Sequence, residues 1–219
     1  MTTIVIATGN AHKAEEIQAI LGEGFTYQTL KDHPSAPSPE ETAHNFEGNA
    51  AIKAESLAHW LASEKRLPSD PVLILADDSG LEVDALDKAP GVHSARFAAL
   101  DTGAPGNSSD ADNNAKLLRL LSERRVDHPT ARFRCVLALI QVTGGNASPA
   151  FSEPIHFSGA CEGRIQTTAS GSGGFGYDPL FIPEGHDRSF AELGEEIKNQ
   201  LSHRAAALIL LAEHLKSIH

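Results

Sequence analysis

A chain of 219 residues with 41% hydrophobic and 21% charged residues has the composition of a folded globular protein, which excludes disordered and fibrous classes. Its 18 Lys and Arg against 29 Asp and Glu leave a formal charge of -11, so it is a poor general binder of nucleic-acid backbones and must meet any phosphate with a local cluster of Lys, Arg or metal. Two cysteines, an N-terminus that reads as strand rather than signal, and a longest apolar run of only Ala205 to Ala212 point to one cytoplasmic domain, 1–219, with no membrane role and no nucleic-acid partner.

Thr3 to Ala7 reads as a buried strand that runs at once into Thr8-Gly9-Asn10-Ala11-His12-Lys13 and a helical pattern carrying Ile17, Ile20 and Leu21. A strand, a tight loop and a helix N-terminus with a Lys can receive an anion, because Gly9 lets the backbone approach and the helix end offers unpaired N–H groups. The same residues also make a plain strand-to-helix turn with Asn10 as the cap and Lys13 in solvent. Phe25 to Leu30 fits a second strand, and Lys31 to Pro39, with three prolines, a loop closed by Glu40 and Glu41. Phe46, Ala50, Ala54, Leu57 and Leu61 recur at helical spacing, which predicts a helix from Asn45 to about Ser63 with Lys53 off the apolar stripe.

A polar turn over Arg66 to Pro71 leads into a buried strand, Val72 to Ala76, that delivers two adjacent carboxylates, Asp77 and Asp78, before Gly80. Successive strand residues face opposite ways, so both acids are not expected to look into the core. At a strand end they can reach a hard cation or hold an attacking water. An Asp-Ser-Gly turn between two strands is the alternative. The order to this point, β-α-β-α-β, indicates an α/β layer fold with ligands at strand C-terminal ends.

Pro90-Gly91 forces a turn ahead of Ser94-Ala95-Arg96-Phe97, and the Gly, Asn, Ser and Asp of Asp101 to Asp112 compose a loop. Asp110 or Asp112 is expected to cap a helix bearing Leu117, Leu118, Leu120 and Leu121. Ala131 to Val142 reads as a long strand, Gly144-Gly145-Asn146 as a hairpin turn, Phe151 to Ser158 as the return strand and Cys161 to Thr167 as a third. Alternation of Phe133, Cys135, Leu137 and Leu139 makes Cys135 a core residue. The Gly-rich stretch from Ser170 to Gly174 opens into Phe175-Gly176-Tyr177-Asp178-Pro179, which can wrap a flat ligand with an aromatic face and an acceptor, or simply connect elements with Phe175 in the core. Short helical patterns span Ser189 to Leu193 and Glu195 to Leu201, and Ser202 can cap a last helix through Leu215. Lys198, His203 and Arg204 form a positive group in an acidic chain, although each taken singly reads as a solvated surface residue.

Five blocks in this order resemble the inosine triphosphate pyrophosphatase family, also called dITP/XTP pyrophosphatases, over Thr8 to Arg204. They are Thr8-Gly9-Asn10 with Lys13; Ala76 to Leu81 with Asp84; Pro90-Gly91 with Ser94-Ala95-Arg96; Gly173 to Pro179; and Ser202-His203-Arg204 with Lys198 upstream. The resemblance implies an elongated mixed β-sheet with flanking helices, two lobes around a central cleft as in the related Maf-like proteins, and a homodimer. It implies Mg²⁺-dependent hydrolysis of a purine nucleoside triphosphate to monophosphate and pyrophosphate. By the same resemblance Asp78 is the catalytic base or metal-bound acid, Asp77 and Glu41 are further metal ligands, and Thr8 to Lys13, Lys53 and Lys198 hold phosphates. Ser79 then contacts substrate, and Phe175, Gly176, Tyr177 and Asp178 with His203 and Arg204 frame the base.

The chain departs from the family pattern at Ala43, where Gly is usual, at Asn45 for Thr, at Gly48 for Glu and at Ala99 for Gly. An acceptor at C6 of hypoxanthine or xanthine suits Arg204, whereas the amino group of adenine opposes it. That rejects ATP and says nothing of GTP, which also carries a 6-oxo group. Two rival readings are a Maf-like enzyme for modified pyrimidine triphosphates, which the Ser202-His203-Arg204 block disfavours, and a nucleotide-binding regulator without turnover, which the intact Lys13, Asp77 and Asp78 disfavour.

Overall fold

A computed structural model of the chain describes residues 1–68 and 71–217. Its elements are β1 (Thr3–Ile6), α1 (Ala11–Leu21), β2 (Thr26–Thr29), α2 (Phe46–Ser63), β3 (Val72–Val83), α3 (Asp110–Glu123), β4 (Thr130–Thr143), β5 (Ala150–Phe151), β6 (Ile155–Ile165), β7 (Phe181–Pro183), α4 (Phe190–Leu193), α5 (Glu195–Leu201) and α6 (His203–Ser217). The strands form a mixed sheet in the order β2-β1-β3-β4-β6-β7, with β5 on β4. The chain divides into two compact units, one of residues 1–78, 135–158 and 207 onward, the other of residues 79–134 and 159–206.

In the first unit β1 is buried along its length and runs parallel to both neighbours, with Thr3 opposite Thr26 and Val72. A parallel strand covered on both faces needs an unbroken apolar run, which is what Ile4-Val5-Ile6 supplies. Asn10 caps α1 by accepting from the N–H groups of His12 and Lys13, and Asn45 caps α2 by accepting from Gly48. Ile4, Ile6, Ile17, Leu73, Leu75, Leu137, Leu139, Leu208 and Leu211 share its core. In the second unit Leu81, Val83, Leu117, Phe133, Ile165, Phe181 and Phe190 pack together.

Four expectations are corrected. The strand expected to stop at Ala76 continues to Val83, so Asp77 and Asp78 stand in mid-strand and Gly80 is an interior residue. Both acids are buried, one on each face, because lysines meet them and the strand has no need to end at the carboxylates. Ser109, not Asp110 or Asp112, caps α3: its hydroxyl accepts from the N–H of Asp112 and donates to the Asp112 carboxylate at 2.6 Å. The return strand Phe151 to Ser158 and the strand Cys161 to Thr167 are instead the two-residue β5, pairing Phe151 with Val142, and one continuous β6. Gly159 and Ala160 were read as a break, yet Phe157, Gly159 and Cys161 keep one buried alternation through them. The polar turn expected from Arg66 to Pro71 includes residues 69 and 70, which lie outside the described residues. Lastly, Lys198, His203 and Arg204 are buried rather than solvated.

Candidate active site

The first unit concentrates charge on β3. Lys13, one turn into α1, donates to Asp77 Oδ1, and the Cys135 thiol on β4 donates to Asp77 Oδ2 at 3.3 Å. On the opposite face Lys53 of α2 donates to Asp78 Oδ1 at 2.7 Å and to Glu41 Oε1 at 3.2 Å. Asp78 Oδ2 is buried with no hydrogen-bond partner among the described residues. Burial lifts the pKa of Asp78 above the usual carboxylate range, and Lys53 and Lys13 offset only part of that rise. Burial also opposes the charge on Lys53, but the Asp78 and Glu41 carboxylates outweigh it and raise its pKa, so the ammonium stays charged. The net rise leaves Asp78 a better proton acceptor than an ordinary aspartate.

Thr8, Gly9, Asn10 and Ala11 border a cavity of about 360 Å³ whose other walls include Tyr27, Thr29 and Lys31. His12 is exposed and faces Glu15 at 3.8 Å. Asn10 is the helix cap, and Lys13 in the first turn of α1 reaches Asp77.

In the second unit the Gly-rich segment is held by buried polar contacts. Asp178 Oδ2 accepts from Lys198 Nζ at 2.6 Å and from the Phe175 N–H at 2.8 Å. Gly174, at φ +73°, leaves room for that carboxylate, since a Cβ there would run into Asp178 Oδ2. The Lys198 ammonium lies 4.1 Å from the Phe175 ring centre and the Arg204 guanidinium 5.9 Å. Arg204, fully buried, also reaches Ser79 Oγ at 3.4 Å. His203 stacks on Phe133 with ring centres 4.8 Å apart. Tyr177 is buried with its hydroxyl donating to the Ser94 carbonyl at 2.9 Å, and burial raises its pKa. Gly176 is tied on both sides, its N–H to Asp110 at 2.6 Å and its carbonyl to Asn114 at 3.0 Å.

Comparison with known proteins gives this arrangement a family. The sequence profile of the Ham1 family matches residues 4–214. The chain belongs to the Ham1 family. It is 45% identical over 217 residues to a dITP/XTP pyrophosphatase of Porphyromonas gingivalis, covering 98% of each chain. It is 43% identical over 206 residues to the dITP/XTP pyrophosphatase of Exiguobacterium sibiricum, covering 94% of this chain and 92% of that one. The HAM1 protein from Coxiella burnetii has the same fold, with TM-score 0.78 at 36% identity over 99% of this chain and all of that one. The Staphylococcus aureus Ham1 protein superposes with TM-score 0.78 at 34% identity.

Within this Ham1 chain the expected residues fall into two sets. Glu41, Lys13, Lys53, Asp77 and Asp78 come together in the first unit. Ser79, Phe175, Asp178, Lys198 and Arg204 come together in the second. Sequence reasoning placed Cys135 and Phe133 in the core, read Asp110 as a helix cap and Ser94 as part of a family block, but gave none of them its contact here, and it passed over Asn114. Their signal was weak, because each acts through a residue far along the chain.

The same acids are candidate ligands for a divalent cation. Among the described residues no three His, Cys, Asp or Glu stand grouped to hold an ion. The donor set still suits a hard divalent cation, for Asp78 Oδ2 is a buried carboxylate oxygen without a donor and Glu41 shares a lysine with Asp78. One or two carboxylates, with the remaining positions left to phosphate and water, is how Mg²⁺ is commonly held.

Proposed function

We propose that this protein hydrolyses non-standard purine nucleoside triphosphates, ITP, dITP, XTP and dXTP, to the monophosphate and pyrophosphate, and so keeps them from incorporation into DNA and RNA. The observation that carries the reading is Asp78: a mid-strand carboxylate with one oxygen on Lys53, the other buried without a donor, and a raised pKa. Its support from outside the chain is the set of Ham1 relatives named dITP/XTP pyrophosphatases.

In this proposal water attacks the α-phosphorus, the bond to the β-phosphate oxygen breaks, pyrophosphate leaves, and Asp78 receives the proton of the water. Lys13 and Lys53 meet phosphate oxygens, and the Thr8 to Lys13 segment directs the α1 N-terminus at them. Asp78 and Glu41 would hold Mg²⁺, which when bound neutralises phosphate charge. Asp77 acts by orienting Lys13, and is the weaker of the candidate metal ligands because Lys13 and Cys135 already occupy its oxygens. Phe175 offers a ring face to the base, with Asp178 and Lys198 setting the loop that carries it and Tyr177 pinning that loop to Ser94. Arg204 meets the 6-oxo group, with His203 beside it.

The same proposal includes action as one catalytic domain, a homodimeric state and a cytoplasmic setting. Its supports are the family resemblance and two buried cysteines that form no disulfide with one another. Pyrophosphate release from ITP, dITP, XTP, GTP and ATP, with Mg²⁺ and with chelator, tests it. Metal-dependent release at least about 100-fold faster from ITP, dITP and XTP than from ATP is expected, since a site built around one hydrogen-bond pattern rejects the opposite one strongly. Equal rates on all five would refute the role of Arg204.

A further inference from the structure

Lys53 stands where a cation would stand. Its ammonium bridges Asp78 Oδ1 at 2.7 Å and Glu41 Oε1 at 3.2 Å, the two carboxylates assigned above to the metal. A third oxygen of the same group, Asp78 Oδ2, is buried with no donor among the described residues, so the ammonium that Asp78 shares with Glu41 does not saturate it. The backbone of Lys53 is fixed, because α2 packs Ala50, Ala54, Leu57 and Leu61 into the interior. The side chain is not sealed off, since 15% of it is exposed, and four methylenes let the ammonium move without moving the helix. Asp77 differs, having no exposed side-chain surface and holding Lys13 on one oxygen and a thiol on the other.

A divalent ion arriving alone at Asp78 and Glu41 meets a positive charge already in place. A triphosphate changes the balance, because its oxygens compete for the ammonium more strongly than two shared carboxylates do. We propose that Lys53 is an internal counter-ion that closes Asp78 and Glu41 to divalent cations until a triphosphate draws its ammonium away, so that metal and nucleotide load together. This rests on the pyrophosphatase reading. In it one lysine neutralises carboxylates in the empty enzyme and phosphates in the loaded one, and the protein without nucleotide does not retain metal.

The test is Mn²⁺ binding to nucleotide-free protein at pH 8, read by electron paramagnetic resonance, for wild type, Lys53→Met and Lys53→Arg. Lys53→Met keeps the apolar stem and removes the charge, and it should bind Mn²⁺ about 10-fold tighter or more, the size of an ordinary coupling between two sites. Lys53→Arg keeps the charge and should stay as weak as wild type. Adding Asp78→Asn to Lys53→Met should abolish the gain and thereby place the ion at Asp78. Circular dichroism checks the fold of each variant, and Lys53→Gln replaces Lys53→Met if the latter does not fold. Mn²⁺ affinity in the uncharged variant no higher than wild type overturns the proposal, as does equal tightening in Lys53→Arg or a gain that survives Asp78→Asn. Wild-type protein that releases no pyrophosphate from dITP or XTP would refute the functional reading separately, and the Mn²⁺ titration would still decide the counter-ion role.

Discussion

The two units use lysine and aspartate in opposite ways. In the second, Lys198 and Asp178 are closed off from solvent, at 3% and 2% side-chain exposure, and Asp178 also holds the Phe175 backbone. In the first, Lys53 and Glu41 keep 15% and 27% exposure, and Asp78 retains an oxygen with no donor. A buried pair with its hydrogen bonds made is a structural fixture, and losing one partner strands the other charge. A partly exposed cluster with one carboxylate oxygen unsaturated is able to exchange partners. Under the proposed function, chemistry then belongs to the first arrangement and the shaping of a base-binding loop to the second.

The comparison is open to attack at its strongest point. Asp78→Asn should lower kcat for pyrophosphate release by about 10³-fold, a usual loss for a missing general base, while nucleotide binding and fold persist. A change confined to KM would show that Asp78 only binds. Lys198→Met should destabilise the protein by about 3–5 kcal/mol in denaturant unfolding, and Lys53→Met by much less. A larger loss in Lys53→Met than in Lys198→Met would reverse the contrast between the units.

The sequence made the acids of β3 conspicuous, because an apolar run that ends in two carboxylates is rare in a core. It did not reveal that the strand continues through them. The residues that make this possible, Lys13 and Lys53, lie 64 and 25 positions away, and no local pattern joins them to Asp77 and Asp78. Lys198, His203 and Arg204 failed for the same reason: read singly they are solvated charges, and it takes distant partners, Asp178, Phe133 and Ser79 among them, to make burial tolerable. Cys135 was placed in the core from alternation, and its bond to Asp77 depended on β3 lying beside β4, which alternation cannot show. Helix starts were legible where Asn10, Asn45 and Ser202 stand as caps. At α3 two aspartates drew attention from Ser109.

Ala43 and Gly48, two of the positions where the resemblance implied other residues, are sterically linked. A Cβ on Gly48 would lie 2.5 Å from the Ala43 Cβ and 2.9 Å from Asn45 Oδ1, so a methyl at 43 requires none at 48. The segment carrying Glu41 is held against α2 here, with Asn49 Oδ1 accepting from the Ala43 N–H at 3.0 Å. Gly48→Ala should cost about 1–3 kcal/mol through overpacking, and Ala43→Gly should recover most of it in the double variant. Activity should follow stability in this series, because the disturbed segment supplies Glu41. A double variant no more stable than Gly48→Ala would mean that the Asn45 contact is the one that matters.

The smallest effect concerns Asp78 in chelator-treated, nucleotide-free protein. Its pKa is raised by burial against the partial opposition of Lys53 and Lys13, so the folded state holds this proton more tightly than the unfolded chain does. Its contribution to stability is then greatest below the unfolded value, near about 4, and is lost as pH rises through the raised folded value. Asn carries no such proton. The stability of wild type relative to Asp78→Asn should therefore fall as pH rises across that window and level off above it, measured by urea unfolding at each pH. A relative stability that rises with pH would show that the two lysines outweigh burial, making Asp78 a settled ion pair. The distinction between a carboxylate poised to take a new partner and one already satisfied, on which the contrast between the units depends, would then disappear.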